Sequence, residues 1–186
     1  QMRDLGLFGA TVGREWGGLG LPAQTYSRIV SRISEVWMSL TGIFNSHLMM
    51  AAAVERFGTD AQKRHFLPRF ASGELRGGLA LTEPHCGTDL QAIRTRAVRD
   101  GDDYVVNGAK TWISNGIEGG AVALLVKTDW DIEPRHKGMT MLIVPKIDPL
   151  TRAPLPGVRN GRKLEKLGYK GIDSGEFIFE DYKEMQ

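Results

Sequence analysis

The spacing of apolar residues changes character near residue 78, so no fold built from one kind of secondary structure accommodates both halves of this chain. In the first half Tyr26, Ile29, Val30, Ile33, Val36, Trp37 and Leu40 recur at steps of three and four, which predicts one inward helix face. Arg28, Arg32 and Glu35 fall mostly on the other side. The glycines and proline of the preceding 17–22 stretch punctuate rather than propagate, and read as a loop. From Ile43 to Phe57 the chain is apolar nearly all round, the mark of a buried helix. Thr59 and Gln62 are spaced for a capping box. The helix that they start turns Phe66, Leu67 and Phe70 inward and stops at Ser72-Gly73, with Gly73 as a left-handed cap.

Beyond residue 78 the apolar residues come in short β-rich runs. Tyr104-Val105-Val106 leads into Asn107-Gly108, a strong hairpin signal, with Ala109 to Ile113 as the return strand and Asn115-Gly116 as its end. Further strands are predicted over 121–128, 139–144 and 176–179, with 129–138 and 145–163 as connecting loops. The fold class is therefore α+β: a helical part, 1–78, followed by a small antiparallel β-barrel or sandwich, 79–186.

Composition narrows the class. With 41% hydrophobic and 25% charged residues the chain is neither disordered nor fibrous. Its net charge of +2 is too mild to argue for nucleic acid. The lone cysteine, Cys86, excludes a disulfide within the chain and fits a reducing, cytoplasm-like compartment. No apolar run approaches the roughly 18 residues needed to span a bilayer. No signal peptide opens the chain, and Gln1-Met2-Arg3 reads as the interior of a longer protein. There is no Gly-x-Gly-x-x-Gly, Walker A, His-Glu-x-x-His or Gly-x-Ser-x-Gly pattern. His47, His65, His85 and His136 are scattered, so structural or surface roles are expected for them and no metal site.

The informative segment is Leu79-Ala80-Leu81-Thr82-Glu83-Pro84-His85-Cys86-Gly87-Thr88-Asp89-Leu90. Pro84 fixes its own φ and biases Glu83 toward extended backbone. Gly87 permits a close backbone approach. Thr82, Thr88 and the N–H groups between them make a polar turn. Such a turn suits a domain linker, and it also suits a cradle for an anion or a flat heterocycle.

This segment resembles the T-E-P-x-x-G-[ST]-D signature of the acyl-CoA dehydrogenase family. Tyr104 to Gly116 is similar to the family's second signature, Y-x-[IV]-N-G-x-K-x-[WF]-I-[ST]-N. The stretches His136-Lys137-Gly138-Met139, Gly161 to Gly168, Asp173-Ser174 and Phe179-Glu180-Asp181 follow in family order. Upstream, Gly17 to Gly20 and Phe57-Gly58-Thr59 through Leu67-Pro68 fit the family's helical domain. The likeness is collinear over nearly the whole chain.

The resemblance implies FAD as cofactor and an acyl-CoA thioester as substrate, dehydrogenated to the trans-2-enoyl-CoA in fatty acid metabolism. It implies that Leu79, Ala80, Leu81, Thr82, Gly87 and Thr88 form one flavin wall, with Leu81 and Thr82 at the pyrimidine side. Gly87 and Thr88 would lie near the pyrophosphate and the thioester arm. Trp112, Ile113 and Ser114 would form the second wall, Trp112 against the ring and Ser114 near N5. Donors aimed at those edges stabilise charge that arrives with hydride. Thr88 stands where serine is common and Ser114 where threonine is, and both keep a hydroxyl. Cys86, in place of a smaller residue, reads as a small buried hydrophobe. Thr41, Asn45 and Met49, at i, i+4 and i+8, resemble the lining of the acyl pocket and read equally as plain helix packing. The basic run Arg152, Arg159, Arg162, Lys163, Lys166 and Lys170 suits a solvated loop, or a site for an anion such as a CoA phosphate.

Electron-transfer flavoprotein as electron acceptor, a homodimer or homotetramer, and a cytoplasmic or mitochondrial-matrix location also follow from the resemblance. The family's proton-abstracting glutamate belongs to a C-terminal helical bundle. No glutamate of this chain maps to it, and Glu83 reads as structural. The chain is expected to be a fragment, without the first N-terminal helices or that bundle, and without turnover of its own. An acyl-CoA oxidase, a flavin monooxygenase relative, and a non-catalytic CoA- or protein-binding module are the alternatives.

Overall fold

The computed structural model of the protein describes residues 1–148, 150–151 and 153–185, the last two by backbone alone. A helical layer precedes a curled seven-stranded sheet. Helix α1 (Ala23–Phe57) carries a non-helical residue, Trp37, at φ −157°, ψ 97°. In a straight helix Tyr26 and Asn45 would stand roughly 28 Å apart, yet the Tyr26 hydroxyl donates to Asn45 Oδ1 at 2.8 Å. The helix therefore doubles back at Trp37 into two antiparallel arms. That reversal overturns part of the expected helix face: Val36 is 88% exposed and Trp37 53%. The 3.6-residue period continues through the corner, but the neighbouring arm does not.

Helix α2 (Asp60–Ala71) begins with the full capping box of Thr59 and Gln62, and Gly73 takes a left-handed φ of 67° just past its end. Phe44, Leu48, Met50, Val54, Leu67 and Phe70 bury against one another and against Ala121 and Ala123 of the sheet. His47 lies within this layer, wholly buried, between the rings of Phe8 and Phe70. Its Nε2 lies 3.0 Å from the Phe70 carbonyl and must carry the proton there, since a carbonyl only accepts.

Burial pushes the His47 imidazole down to about 4. Between pH 6.5 and about 4 the unfolded chain binds a proton that the folded chain refuses, so stability falls as pH drops through that window. The loss should approach roughly 3 kcal/mol. Urea unfolding of His47→Gln should show a flatter pH profile there. A profile as steep as the parent's would exclude His47 as the source.

The strands are β1 (Gly77–Ala80), β2 (Arg96–Asp100), β3 (Asp103–Ser114), β4 (Ala121–Lys127), β5 (Met139–Pro145), β6 (Val158–Lys163) and β7 (Ser174–Met185). They run in the order β1-β4-β2-β3-β7-β6, with β5 on β4. The sheet is mixed rather than purely antiparallel, because β1 pairs parallel with β4 and β2 touches β4 parallel at Arg96–Lys127. The expected boundary after residue 78 falls inside β1.

The Asn107-Gly108 hairpin is not formed. Both residues lie inside β3, at an irregularity in its pairing with β7. Gly108 has φ 150°, and a Cβ there would meet the Thr95 backbone. Asn107 exchanges hydrogen bonds with Asp181 at 3.0 and 3.1 Å. The pair is a bulge that bends the strand. The hairpin between β2 and β3 closes at Gly101-Asp102, where Gly101 takes φ 65°.

Candidate functional site

Strands β1 and β2 lie end to end along one edge of β4, so the intervening residues 81–95 leave the sheet as a loop. Leaving the ladder orphans backbone groups at the loop's base, and these need partners. Glu83 supplies them. It is 3% exposed, and its carboxylate accepts from the N–H of Arg94 at 2.7 Å and of Thr95 at 2.9 Å. The wholly buried Lys110 of β3 adds a 2.9 Å ion pair and donates to the Leu81 carbonyl at 2.9 Å. Burial pushes the Glu83 carboxyl up, but hydrogen bonds from Thr95, Arg94 and Lys110 outweigh it and hold it below the usual range. Burial lowers the Lys110 ammonium, against the opposing pull of Glu83.

The loop is tied sideways as well, since Thr111 N–H donates to the Thr82 carbonyl at 2.9 Å. One residue on, the pairing of β3 with β7 slips between Lys110 and Ile113. Trp112 occupies that slip at φ 60° and is 55% exposed. A left-handed φ at a bulky residue costs about 1–3 kcal/mol and persists only where the surroundings impose it. Here the bulge carries a large indole outward beside the Thr82 loop.

Three residues further, Asn115 also takes a left-handed φ, 58°. Its amide donates to the Ile43 carbonyl of α1 at 2.7 Å and to the Gly77 carbonyl of β1 at 3.1 Å, pinning helix and sheet together. The turn after it is clamped from two sides. Asp173 accepts from the N–H groups of Ile117 and Glu118. The buried Lys146 donates to the Gly116 carbonyl and lies 4.3 Å from the Phe177 ring centre. Burial pushes the Lys146 ammonium down to about 8.

The expected site residues separate by what they present. Leu81, Thr82 and Ser114 are half-buried, while Gly87, Thr88 and Trp112 are exposed. Ala80 and Ile113 are buried in the sheet core, so only their backbone is available to a ligand. Leu79 packs toward the helical layer. Cys86 is mostly buried beside Glu83. Thr41 and Asn45 line a cleft of about 370 Å³ between the two arms of α1, together with Tyr26 and Tyr169. Met49 is 46% exposed and lies outside that lining.

Tyr169 was not singled out from sequence. It takes φ 60° and seats its hydroxyl in the space that Gly42 leaves. A glycine within an apolar helix was the available signal. The late basic residues are spread over β6 and the following loop. Arg159 pairs with Glu180, Arg162 with Glu176, and Lys166 donates to the Ile172 carbonyl, while Arg152 lies outside the described residues. Among the described residues no helix is long and apolar enough to cross a membrane.

Comparison with known proteins gives this geometry its setting. Residues 1–74 match the family model "Acyl-CoA dehydrogenase, N-terminal domain", and residues 78–182 match "Acyl-CoA dehydrogenase, middle domain". The chain is 35% identical to (2S)-methylsuccinyl-CoA dehydrogenase of Cereibacter sphaeroides, a match that covers 98% of the chain and 33% of that protein. It is 34% identical to mitochondrial isovaleryl-CoA dehydrogenase of Pongo abelii, covering 98% of the chain and 42% of that protein. The crystal structure of acyl-CoA dehydrogenase from Geobacillus kaustophilus superposes with a TM-score of 0.88 at 36% identity, over 99% of the chain and 47% of that structure. The chain thus spans less than half the length of these relatives. It belongs to the acyl-CoA dehydrogenase family.

Proposed function

We propose that this chain supplies one side of the flavin site of an FAD-dependent enzyme that converts an acyl-CoA thioester into its trans-2-enoyl form. The observation that carries this reading is Trp112: a half-exposed indole, presented by a strained bulge and tied through Thr111 to the Thr82 loop. An aromatic plane of this kind packs against a flat heterocycle and excludes water. The loop offers room for the rest of the cofactor, since a Cβ on Gly87 would find only Thr82 Cγ2, at 3.9 Å. FAD, when bound, accepts the hydride from the acyl β-carbon. Thr82, Thr88 and Ser114 bring hydroxyls, and the loop brings backbone N–H groups, to hold and orient it. Glu83 does not abstract the α-proton in this reading, because its hydrogen bonds and Lys110 hold the carboxyl below the usual range and make it a weak base.

The proton-abstracting base is then supplied from outside these 186 residues, and the chain alone turns over no acyl-CoA. Sustained dye reduction by the isolated chain would refute that part. Electron-transfer flavoprotein as acceptor and a homodimeric or homotetrameric assembly complete the proposal. The flavin wall is tested by visible absorption after excess FAD is removed. Trp112→Phe should keep most of the retained flavin. Trp112→Ala should weaken FAD by at least about fivefold, as expected for an aromatic contact of about 1 kcal/mol beyond its buried area. Equal retention by the alanine variant would remove Trp112 from the wall.

A further inference from the structure

We propose that Glu83, His85 and Cys86 form a binding site for a thiophilic divalent cation of the Zn²⁺ or Cd²⁺ type. A carboxylate oxygen, an imidazole nitrogen and the thiol sulfur of these residues all lie within 4.8 Å of one another. His85 Nε2 stands 3.6 Å from Glu83 Oε2. A tetrahedral ion with bonds of about 2.0–2.3 Å holds its ligands about 3.3–3.8 Å apart. The carboxylate and the imidazole are therefore already at ligand spacing, and rotation of the Cys86 side chain brings in the sulfur. Reciprocal backbone hydrogen bonds fix the turn: Glu83 N–H donates to the Cys86 carbonyl at 2.9 Å, and Cys86 N–H to the Glu83 carbonyl at 3.2 Å. Pro84 between them stiffens it further.

The carboxylate is prepared for this role by its other partners. Oε1 accepts from Thr95 N–H and from the Lys110 ammonium. Oε2 accepts from Arg94 N–H at 2.7 Å, and a carboxylate oxygen has a second lone pair to offer a cation. Groups that hold a ligating carboxylate in this way are what orients it toward a metal. His85 exchanges its 3.2 Å contact with the Ala92 carbonyl for the metal bond. The Cys86 thiol releases its proton to solvent as the sulfur–metal bond forms. Glu83 and the thiolate then balance the dication, Lys110 contributes the remaining charge, and water takes the fourth position. His85 is exposed, so the ion has a path from solvent on that side of the cluster. Cys86 is the single cysteine of the chain, so any metal–thiolate signal reports this site. The site does not depend on the flavin reading.

The test is a Cd²⁺ titration of the protein, followed by the ultraviolet cadmium–thiolate charge-transfer absorption, with circular dichroism to confirm folding of each variant. The parent should bind one Cd²⁺ per chain with that absorption, and Cys86→Ser should abolish it. His85→Ala should weaken binding by at least about tenfold, the cost already seen when outer partners of a metal site are lost. His65→Ala, on α2, should bind like the parent. Zn²⁺ should slow the reaction of Cys86 with a thiol reagent in the parent but not in His85→Ala. Equal Cd²⁺ affinity in His85→Ala would reduce the site to a lone thiol and overturn the proposal, as would the absence of the thiolate absorption in the parent.

Discussion

Glu83→Ala is expected to cost about 3–5 kcal/mol of folding stability, the range for removing one member of a buried ion pair. The reason is what stays behind. Lys110 is wholly buried, and without Glu83 its ammonium keeps, among the described residues, only the Leu81 carbonyl as a hydrogen-bond acceptor. The N–H groups of Arg94 and Thr95 lose their acceptor at the same time. Lys110→Met should cost less, because the carboxylate retains both backbone donors. The double variant Glu83→Gln/Lys110→Met should recover much of the loss, since a buried pair exchanged for uncharged groups is often close to neutral. Denaturant unfolding of the parent, Glu83→Gln, Lys110→Met and the Glu83→Gln/Lys110→Met double variant closes a double-mutant cycle that measures the coupling. Additive effects would mean that the pair does not hold the loop. The 81–95 backbone should also open first in Glu83→Ala, seen as faster amide exchange at Arg94 and Thr95.

Asn115→Ala should cost about 3–4 kcal/mol, from two separable sources. The Ile43 and Gly77 carbonyls lose their donor, at roughly 1–3 kcal/mol for a buried group left unpaired. Alanine must also adopt the left-handed φ that asparagine tolerates, at about 1–2 kcal/mol. Asn115→Gly removes the second cost and keeps the first, so it should lie above the alanine variant by about 1 kcal/mol and still well below the parent. Urea midpoints and slopes for the three proteins decide the matter. Glycine as stable as the parent would mean that the amide does not pin helix to sheet. Glycine as unstable as alanine would mean that the backbone there is unstrained.

Both positions show where sequence reasoning reached and where it stopped. The capping box at Thr59, the left-handed Gly73 and the strands over 121–127 and 139–145 were legible because each follows from residues adjacent in the chain. The structural role of Glu83 was legible only through the family resemblance, since Lys110, Arg94 and Thr95 reach it from elsewhere in the fold. Asn107-Gly108 misled because the dipeptide serves a bulge as readily as a turn, and the choice is made by β7, more than 70 residues away. The corner at Trp37 was illegible for a related reason: nothing in the local spacing says that a second arm waits to pair with the first. Strands β2 and β6 carry charged residues on at least half of their positions and gave no alternating signal. Among the expected site residues, type and position did not separate Trp112, which faces out, from Ile113, which faces in. The bulge between Lys110 and Ile113 decides that.

The sharing of Ala121 and Ala123 between sheet and helical layer bears on the order in which the molecule assembles. The two arms of α1 close over a short separation in sequence, and such local closures are fast. Yet the apolar face that they create finishes burying itself only when β4 arrives and takes β1 alongside. During synthesis the N-terminal part therefore emerges first with that face still open to water, and transiently exposed apolar surface of this kind invites self-association. Burial is completed by a late, long-range strand pairing, so refolding should slow when β4 is perturbed, and changes confined to the first arm of α1, which is formed before that step, should also act on the folding rate and leave unfolding little changed.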